Sequence, residues 1–123
     1  MKKVFSPILS AILFIICVQT SAQIVSEKTA RNAAYSILNA KNAVVPASPA
    51  DLVSVAVPGT SVTNPEIFIF NNPSGGFAII SGDKSATPVI GYSTSGSVPA
   101  GQWRSNFAWW MQNAVDQIQY YRQ

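Results

Sequence analysis

The sequence predicts an α+β fold for residues 23–123: a small antiparallel sheet of about four strands, with an N-terminal and a C-terminal helix packed on one side of it. Two segments, 27–41 and 106–121, repeat apolar residues at helical spacing. Between them, short apolar runs are separated by turns rich in glycine, proline and asparagine, which is typical of sequential antiparallel strands. We therefore expect the order helix, strand, hairpin, strand, helix.

Residues 1–22 are predicted to be a signal peptide that precedes this domain. A cationic start at 1–3 is followed by an apolar run at 4–18, which is shorter than the roughly 20 residues that span a bilayer. Thr20 and Ala22 are small residues at the two positions that must be small, which predicts cleavage after Ala22. We expect an exported chain, periplasmic or secreted, without a stable membrane anchor; a retained anchor is the less favoured alternative.

Cys17, the only cysteine, raises the further alternative of a lipoprotein. Lipid attachment needs a small residue just before the cysteine, whereas Ile16 stands there. We interpret Cys17 as a small apolar residue of the signal peptide. The exported chain then contains no thiol, and so neither a disulfide nor a thiolate nucleophile.

The composition argues against an enzyme and gives no sign of a nucleic-acid binder. The chain has no histidine, which removes the commonest general base and metal ligand and every Ser-His or Cys-His nucleophile. Without Lys2 and Lys3, the exported chain keeps six basic and five acidic residues, a net charge of +1, with no basic cluster. We predict no catalytic residue, no metal, no cofactor and no nucleic-acid partner.

The first predicted helix spans about residues 27–41, with Ser26 as its N-cap. Glu27 falls in the first turn, where the helix dipole favours an acidic residue. Tyr35 lies off the apolar stripe and is expected to be exposed. The stripe is rich in alanine, which lets the helix lie close to a sheet: Ala30, Ala33, Ala34, Ile37, Leu38 and Lys41.

Four strands are predicted after a proline-rich connector at 44–50. The second strand alternates isoleucine and phenylalanine between its two faces, and the third returns from it through a turn of about five residues. A loop from Ser93 to Ser105 follows the last strand. The predicted strands are 52–57, 66–71, 77–81 and 88–92.

The last predicted helix spans about 106–121 and carries a heavy apolar stripe. Trp109 and Tyr120 lie outside this stripe. Its members are expected to form the core: Phe107, Trp110, Met111, Ala114, Ile118 and Tyr121.

The glycine-rich stretch 75–84 is neither a phosphate loop nor a catalytic site. Its spacing does not match Gly, four residues, then Gly-Lys-Ser/Thr, and a strand follows where a helix is needed. A nucleophile built from Ser81 and Lys84 would need a buried lysine, but Lys84 lies in a polar turn. We interpret Gly75, Gly76 and Gly82 as positive-φ turn residues and Asp83 as a side chain that bonds turn amides.

The segment PEIFIFNNPSGGFAIISGDKSATPVIGYSTSGSV, residues 65–98, resembles the central part of the streptopain prodomain and of small stand-alone inhibitors related to it. The shared features are the Gly-Gly-Phe entry at 75–77, Ser-Gly-Asp-Lys at 81–84 and Gly-Tyr-Ser at 91–93. The resemblance extends over about residues 26–118. Because the chain stops at Gln123, before any catalytic domain, it looks like a prodomain separated from its papain-like cysteine protease.

This resemblance implies a protease-contacting loop at the start of the last helix. In the family, an asparagine there enters the active site and disturbs the catalytic histidine, and Asn106 matches it. Trp103, Arg104 and Ser105 flank Asn106, in a loop that departs from the family pattern by about one extra residue. Two interpretations of Asn106 stay open: it is a plain N-cap, or Ser105 caps the helix and leaves the Asn106 side chain free. The alternative for Trp103 is that it folds back onto the sheet.

The predicted function is inhibition of a streptopain-like cysteine protease by blocking its active-site cleft, with no catalysis by the inhibitor. One alternative is a folding assistant that templates the protease in trans. Another is a non-inhibitory remnant of a truncated precursor or a structural envelope domain.

Overall fold

A computed structural model of the chain describes residues 23–123, and the predicted signal peptide with Cys17 lies outside this range. A single turn of 3₁₀ helix at Pro49–Asp51 precedes the first strand. The elements, numbered in chain order, are helix α1 (Glu27–Ala40), strands β1 (Val53–Val55), β2 (Ile67–Asn71), β3 (Phe77–Ser81) and β4 (Val89–Ser93), and helix α2 (Ser105–Tyr121). The predicted α+β class and the order of elements are confirmed.

The four strands form an antiparallel meander in the order β1-β2-β3-β4. In the central pair, Phe68 lies opposite Ile80 and Ile69 opposite Ile79. In the pair β3–β4, the register of the paired residues shifts between Ile79 and Ile80, as it does at a β-bulge. The first strand is shorter than the predicted 52–57, because only Val53–Val55 pairs with β2.

The two helices lie on opposite faces of the sheet, so the expectation that both pack on one side is wrong. Phe68 and Phe70 of β2 belong to the core cluster that contains α1. Ile67 and Ile69 belong to the cluster that contains α2. All four side chains are buried, and because alternate residues of a strand point to opposite faces, both faces of the sheet need a helix.

Helix α1 packs on the sheet through two alanines and a leucine. Ala30, Ala34 and Leu38 are each 0% exposed and lie against Ala78 and its neighbours. Ser26 caps the helix as predicted, since its side chain accepts a hydrogen bond from the Thr29 N–H at 3.2 Å.

The predicted exposure of Tyr35 is wrong. Its side chain is half-buried, and its hydroxyl donates to the Pro46 carbonyl at 2.7 Å. This bond holds the proline-rich connector against α1, so Tyr35 extends the contact surface of the helix beyond the alanine stripe.

Helix α2 buries fewer residues than its apolar stripe predicted. Met111, Val115 and Ile118 are buried, whereas Trp110 is 42% exposed and Tyr121 is 44% exposed. Val115 was missing from the prediction, and the two aromatics lie at the margin of the contact. The row at positions i, i+4 and i+7 contacts the isoleucines of the sheet, and Phe107 and Ala114 of the predicted stripe pack beside it half-buried. Within residues 23–123, neither helix is long and apolar enough to cross a membrane.

The glycine-rich turns behave largely as predicted. Gly75 and Gly76 have φ angles of 108° and 104°. Gly82 does not have a positive φ; a Cβ placed on it would overlap the carbonyl oxygen of Pro65, so the position requires glycine for close backbone approach. Ser81 is buried and donates to the Asp83 carbonyl at 2.9 Å, while Lys84 is exposed, which leaves no Ser-Lys pair.

Candidate functional site

The loop between β4 and α2 is fixed to the β2–β3 end of the sheet at two points. The Asn71 side chain donates from Nδ2 to the Val98 carbonyl at 2.7 Å, and its Oδ1 accepts from the Val98 N–H at 2.9 Å. The Gly76 N–H donates to the Gly96 carbonyl at 2.7 Å. Val98 itself is buried. The first half of the loop is therefore held in place before the chain reaches α2.

Trp103 folds back, as one of the predicted alternatives, and packs against the core cluster formed by the sheet and α2. Its ring meets Phe107 edge-on, with centroids 5.0 Å apart. Its indole N–H donates to the Pro99 carbonyl at 2.8 Å. Trp103 is thus half-buried and closes the second half of the loop on itself.

Neither Asn106 nor Ser105 caps the last helix, so the N-cap interpretation of both residues is wrong. Arg104 occupies the N-cap position with extended backbone angles and no side-chain capping bond, and the helix begins at Ser105. The Asn106 side chain is exposed, and its Oδ1 accepts from the adjacent Phe107 N–H at 2.9 Å. The first turn of α2 therefore presents a carboxamide to solvent.

A cavity of about 540 Å³ lies under this loop. Three of the four site residues predicted from the sequence meet there, namely Trp103, Arg104 and Asn106, whereas Ser105 is exposed but does not line it. Most of the lining is apolar, with polar groups at the loop end. The remaining lining residues are Phe77, Ser97, Val98, Pro99, Gln102 and Phe107.

The electrostatics of the site favour a negative or neutral partner. Arg104 is the one charged residue that lines the cavity, and it is exposed. The first turn of α2 carries no acidic residue, so the positive end of the helix dipole is not offset there. Among residues 23–123, no group of three or more His, Cys, Asp or Glu side chains could hold a metal. The apolar cavity with exposed polar residues at its rim is suited to binding part of another molecule.

Sequence reasoning missed Asn71, whose side chain fixes the base of the loop. It stands at the end of β2, in the run Phe70-Asn71-Asn72-Pro73, where asparagine reads as an ordinary turn residue. Its partner Val98 lies 27 positions further along the chain. No local pattern pairs the two, because the contact arises only when β4 has returned along β3.

Comparison with known proteins identifies the family. The family model described as "Spi protease inhibitor" matches residues 22–118. The chain belongs to the Spi protease inhibitor family. Streptopain of Streptococcus pyogenes is 32% identical over 97 residues, which is 76% of this chain and 24% of streptopain. The streptopains of serotype M1 and of serotype M3 strain ATCC BAA-595 / MGAS315 match with the same identity and coverage. The resemblance predicted from residues 65–98 is confirmed.

The matched part of this Spi-family chain is the prodomain-like region, and the chain spans about a quarter of the length of the streptopains. The resemblance therefore concerns the segment related to a protease's prodomain. Together with the family match, this supports the protease-inhibitor class.

A polar cluster at the C-terminal end of α2 in the Spi-family domain is structural. Arg122, at the end of α2, lies 3.4 Å from Glu66 and 3.5 Å from Asp83, and donates to the Gly82 carbonyl at 3.1 Å. Burial of Asp83 opposes ionisation, but hydrogen bonds from Ser85 and the charge of Arg122 hold the pKa of its carboxyl below the ordinary value. As predicted, Asp83 bonds a turn amide, the Ser85 N–H, at 2.8 Å.

Proposed function

We propose that this chain inhibits a streptopain-like, papain-like cysteine protease by placing the loop 99–106 in the protease's active-site cleft. The chain acts after export and removal of residues 1–22, in the periplasm or outside the cell, and performs no chemistry of its own. Family membership and the match to the prodomain-like region support the inhibitor class. The geometry at the start of α2 supports the choice of loop.

The observation that carries the proposal is the contrast between Asn106 and its neighbours. Trp103 and Phe107 pack against each other, while Asn106 between them is exposed at the rim of the cavity. An exposed carboxamide above a packed aromatic base suits an inhibitory loop, because little ordering entropy is lost on binding.

A carboxamide suits the proposed target. A cysteine protease relies on a thiolate–imidazolium pair held in a defined geometry. Asn106 offers both a donor and an acceptor, so it can bond within the cleft without presenting a scissile peptide bond. Displacing the imidazole from its thiolate partner stops turnover.

The flanking residues have different roles in this proposal. Arg104 is exposed and contributes the positive charge of the contact surface. Ser105 lies beside it, exposed at the first position of the helix. Trp103 supports the loop from below through Phe107 and Pro99, and its open side forms a wall of the cavity.

The test is a titration of the purified chain against a streptopain-like protease from the same source, with papain in parallel. We expect inhibition that saturates near one equivalent and spares papain. Asn106→Ala should raise the inhibition constant by roughly a hundredfold, the effect of a central contact residue. Asn113→Ala is the matched control, since Asn113 is also exposed on α2 and bonds only locally, to the Trp109 carbonyl.

Equal inhibition by the parent and by Asn106→Ala would remove Asn106 from the site while leaving the inhibitor class intact. Absence of inhibition by the parent would overturn the proposed function. The folding-assistant alternative is then tested by refolding the protease with and without the chain and measuring the rate at which activity returns.

A further inference from the structure

We propose that Asn71 is a positioning residue that holds the inhibitory loop in its binding conformation through Val98. The inference rests on the proposed function, because it assigns the source of the loop's rigidity. Asn71 itself lies at the end of β2 and is not part of the loop.

The geometry is a reciprocal pair of hydrogen bonds. The Asn71 carboxamide binds both the N–H and the C=O of Val98, at 2.9 Å and 2.7 Å, as a paired strand residue would. Both bonds are partly buried, and hydrogen bonds are electrostatically stronger away from water. One side chain thereby fixes both polar backbone groups of a residue at the base of the loop.

The constraint passes from Val98 to Asn106 through a short series of contacts. Val98 is 4% exposed and belongs to the same core cluster as Met111 of α2. The adjacent Pro99 accepts the indole hydrogen bond of Trp103, and Trp103 packs on Phe107 beside Asn106. Loss of the two hydrogen bonds to Val98 would make the loop from Val98 to Asn106 more mobile. A mobile loop must become ordered when it binds, which costs free energy.

The choice of substitution at Asn71 separates this role from simple packing. Asn71→Ala removes both hydrogen bonds. Asn71→Asp keeps the shape of the side chain and the acceptor for the Val98 N–H, but sets a carboxylate oxygen against the Val98 carbonyl. Protonation of the introduced carboxyl restores a donor. The residues that face Asn71 across the sheet and in the loop, Val53, Phe77 and Val98, carry no titratable group.

The experiment measures the inhibition constants of the full chain and its variants against the streptopain-like protease. We expect Asn71→Ala to weaken inhibition roughly tenfold. Asn71→Asp should weaken it at least as much at pH 8 and regain part of the loss as the pH falls toward the ordinary pKa of an aspartate, relative to the parent at each pH. Amide hydrogen exchange of the free variants should show faster exchange at Val98.

Tyr35→Phe is the control for a general loss of stability. It removes one comparable side-chain-to-carbonyl bond, to Pro46, on the other side of the sheet. We expect it to leave the inhibition constant unchanged. If Asn71→Ala inhibits like the parent, or no more weakly than Tyr35→Phe, the positioning role is overturned while the proposed function stands. If the parent itself fails to inhibit, the proposed function fails and this role fails with it.

Discussion

The two faces of the sheet are built from different side chains. On the α1 face, alanines that are 0% exposed bring the helix close to the strands. On the α2 face, larger residues hold the helix over the isoleucines, and Trp103, Phe107 and Trp110 continue past the buried row as an aromatic series. The cavity on the α1 face is about 210 Å³, whereas the α2 face has a cavity of about 540 Å³ and an aromatic edge at the start of α2.

Under the proposed function, this difference assigns stability to one face and recognition to the other, within a domain of about a hundred residues. The α1 face, where Ala30, Ala34, Leu38 and Phe70 are fully buried, tolerates little change in volume, because protein interiors are close-packed. The looser α2 face keeps exposed groups available to a partner and carries all four predicted site residues. We therefore expect substitutions on the α1 face to change stability, and substitutions at the start of α2 to change binding.

The largest expected effect is on the α1 face. Leu38→Ala removes a fully buried side chain and should lower the free energy of unfolding by roughly 2–5 kcal/mol. Trp109→Ala, a larger truncation on α2, should cost no more than about 0.5 kcal/mol because Trp109 is 69% exposed. Urea unfolding followed by circular dichroism compares the two. A greater loss from Trp109→Ala would contradict the assignment of the faces.

One substitution made on both faces sharpens the comparison. Ala34→Leu adds volume at a position that is 0% exposed, and we expect it to lower the free energy of unfolding by roughly 1–3 kcal/mol. Ala114→Leu should be close to neutral, because Ala114 is half-buried and lines a second cavity of about 340 Å³ beside β4. The melting temperatures of the two variants test this, and equal losses would show that both faces are equally tight.

The smallest expected effect concerns the junction of Asp83 and Arg122 at the end of α2. The folded-state pKa of Asp83 is lowered from 3.8, so its contribution to stability is full above that value and is lost as the pH falls through the folded pKa. Asp83→Asn should lower stability by about 1 kcal/mol at pH 7 and make the acid-induced decline shallower.

The matched control for this junction is Asp116→Asn, an exposed carboxylate on α2 that bonds only Gln112. Unfolding curves from pH 7 down to pH 2 should show a profile for this control that follows the parent. A profile for Asp83→Asn as steep as that of the parent would contradict the role given to the Asp83 carboxylate.

Local patterns predicted the elements well. The apolar alternation of β2 and β3, the Ser26 cap and the glycine turn at 75–76 depend on neighbours in the chain, and the structure confirms them. The placement of α2 was less accurate: Val115 is buried and Trp110 is largely outside the contact. Helical periodicity shows which residues share a side, but the width of the opposing surface decides how many are buried.

The sequence by itself determined the fold class, the order of the elements and the family. It also placed Trp103, Arg104 and Asn106 in one loop. Only the tertiary structure decided that the helices lie on opposite faces and that Asn106 is exposed instead of capping its helix. The physical reason is range: propensity and alternation act over a few residues, whereas the pairing of Asn71 with Val98 exists only once the sheet has brought them together.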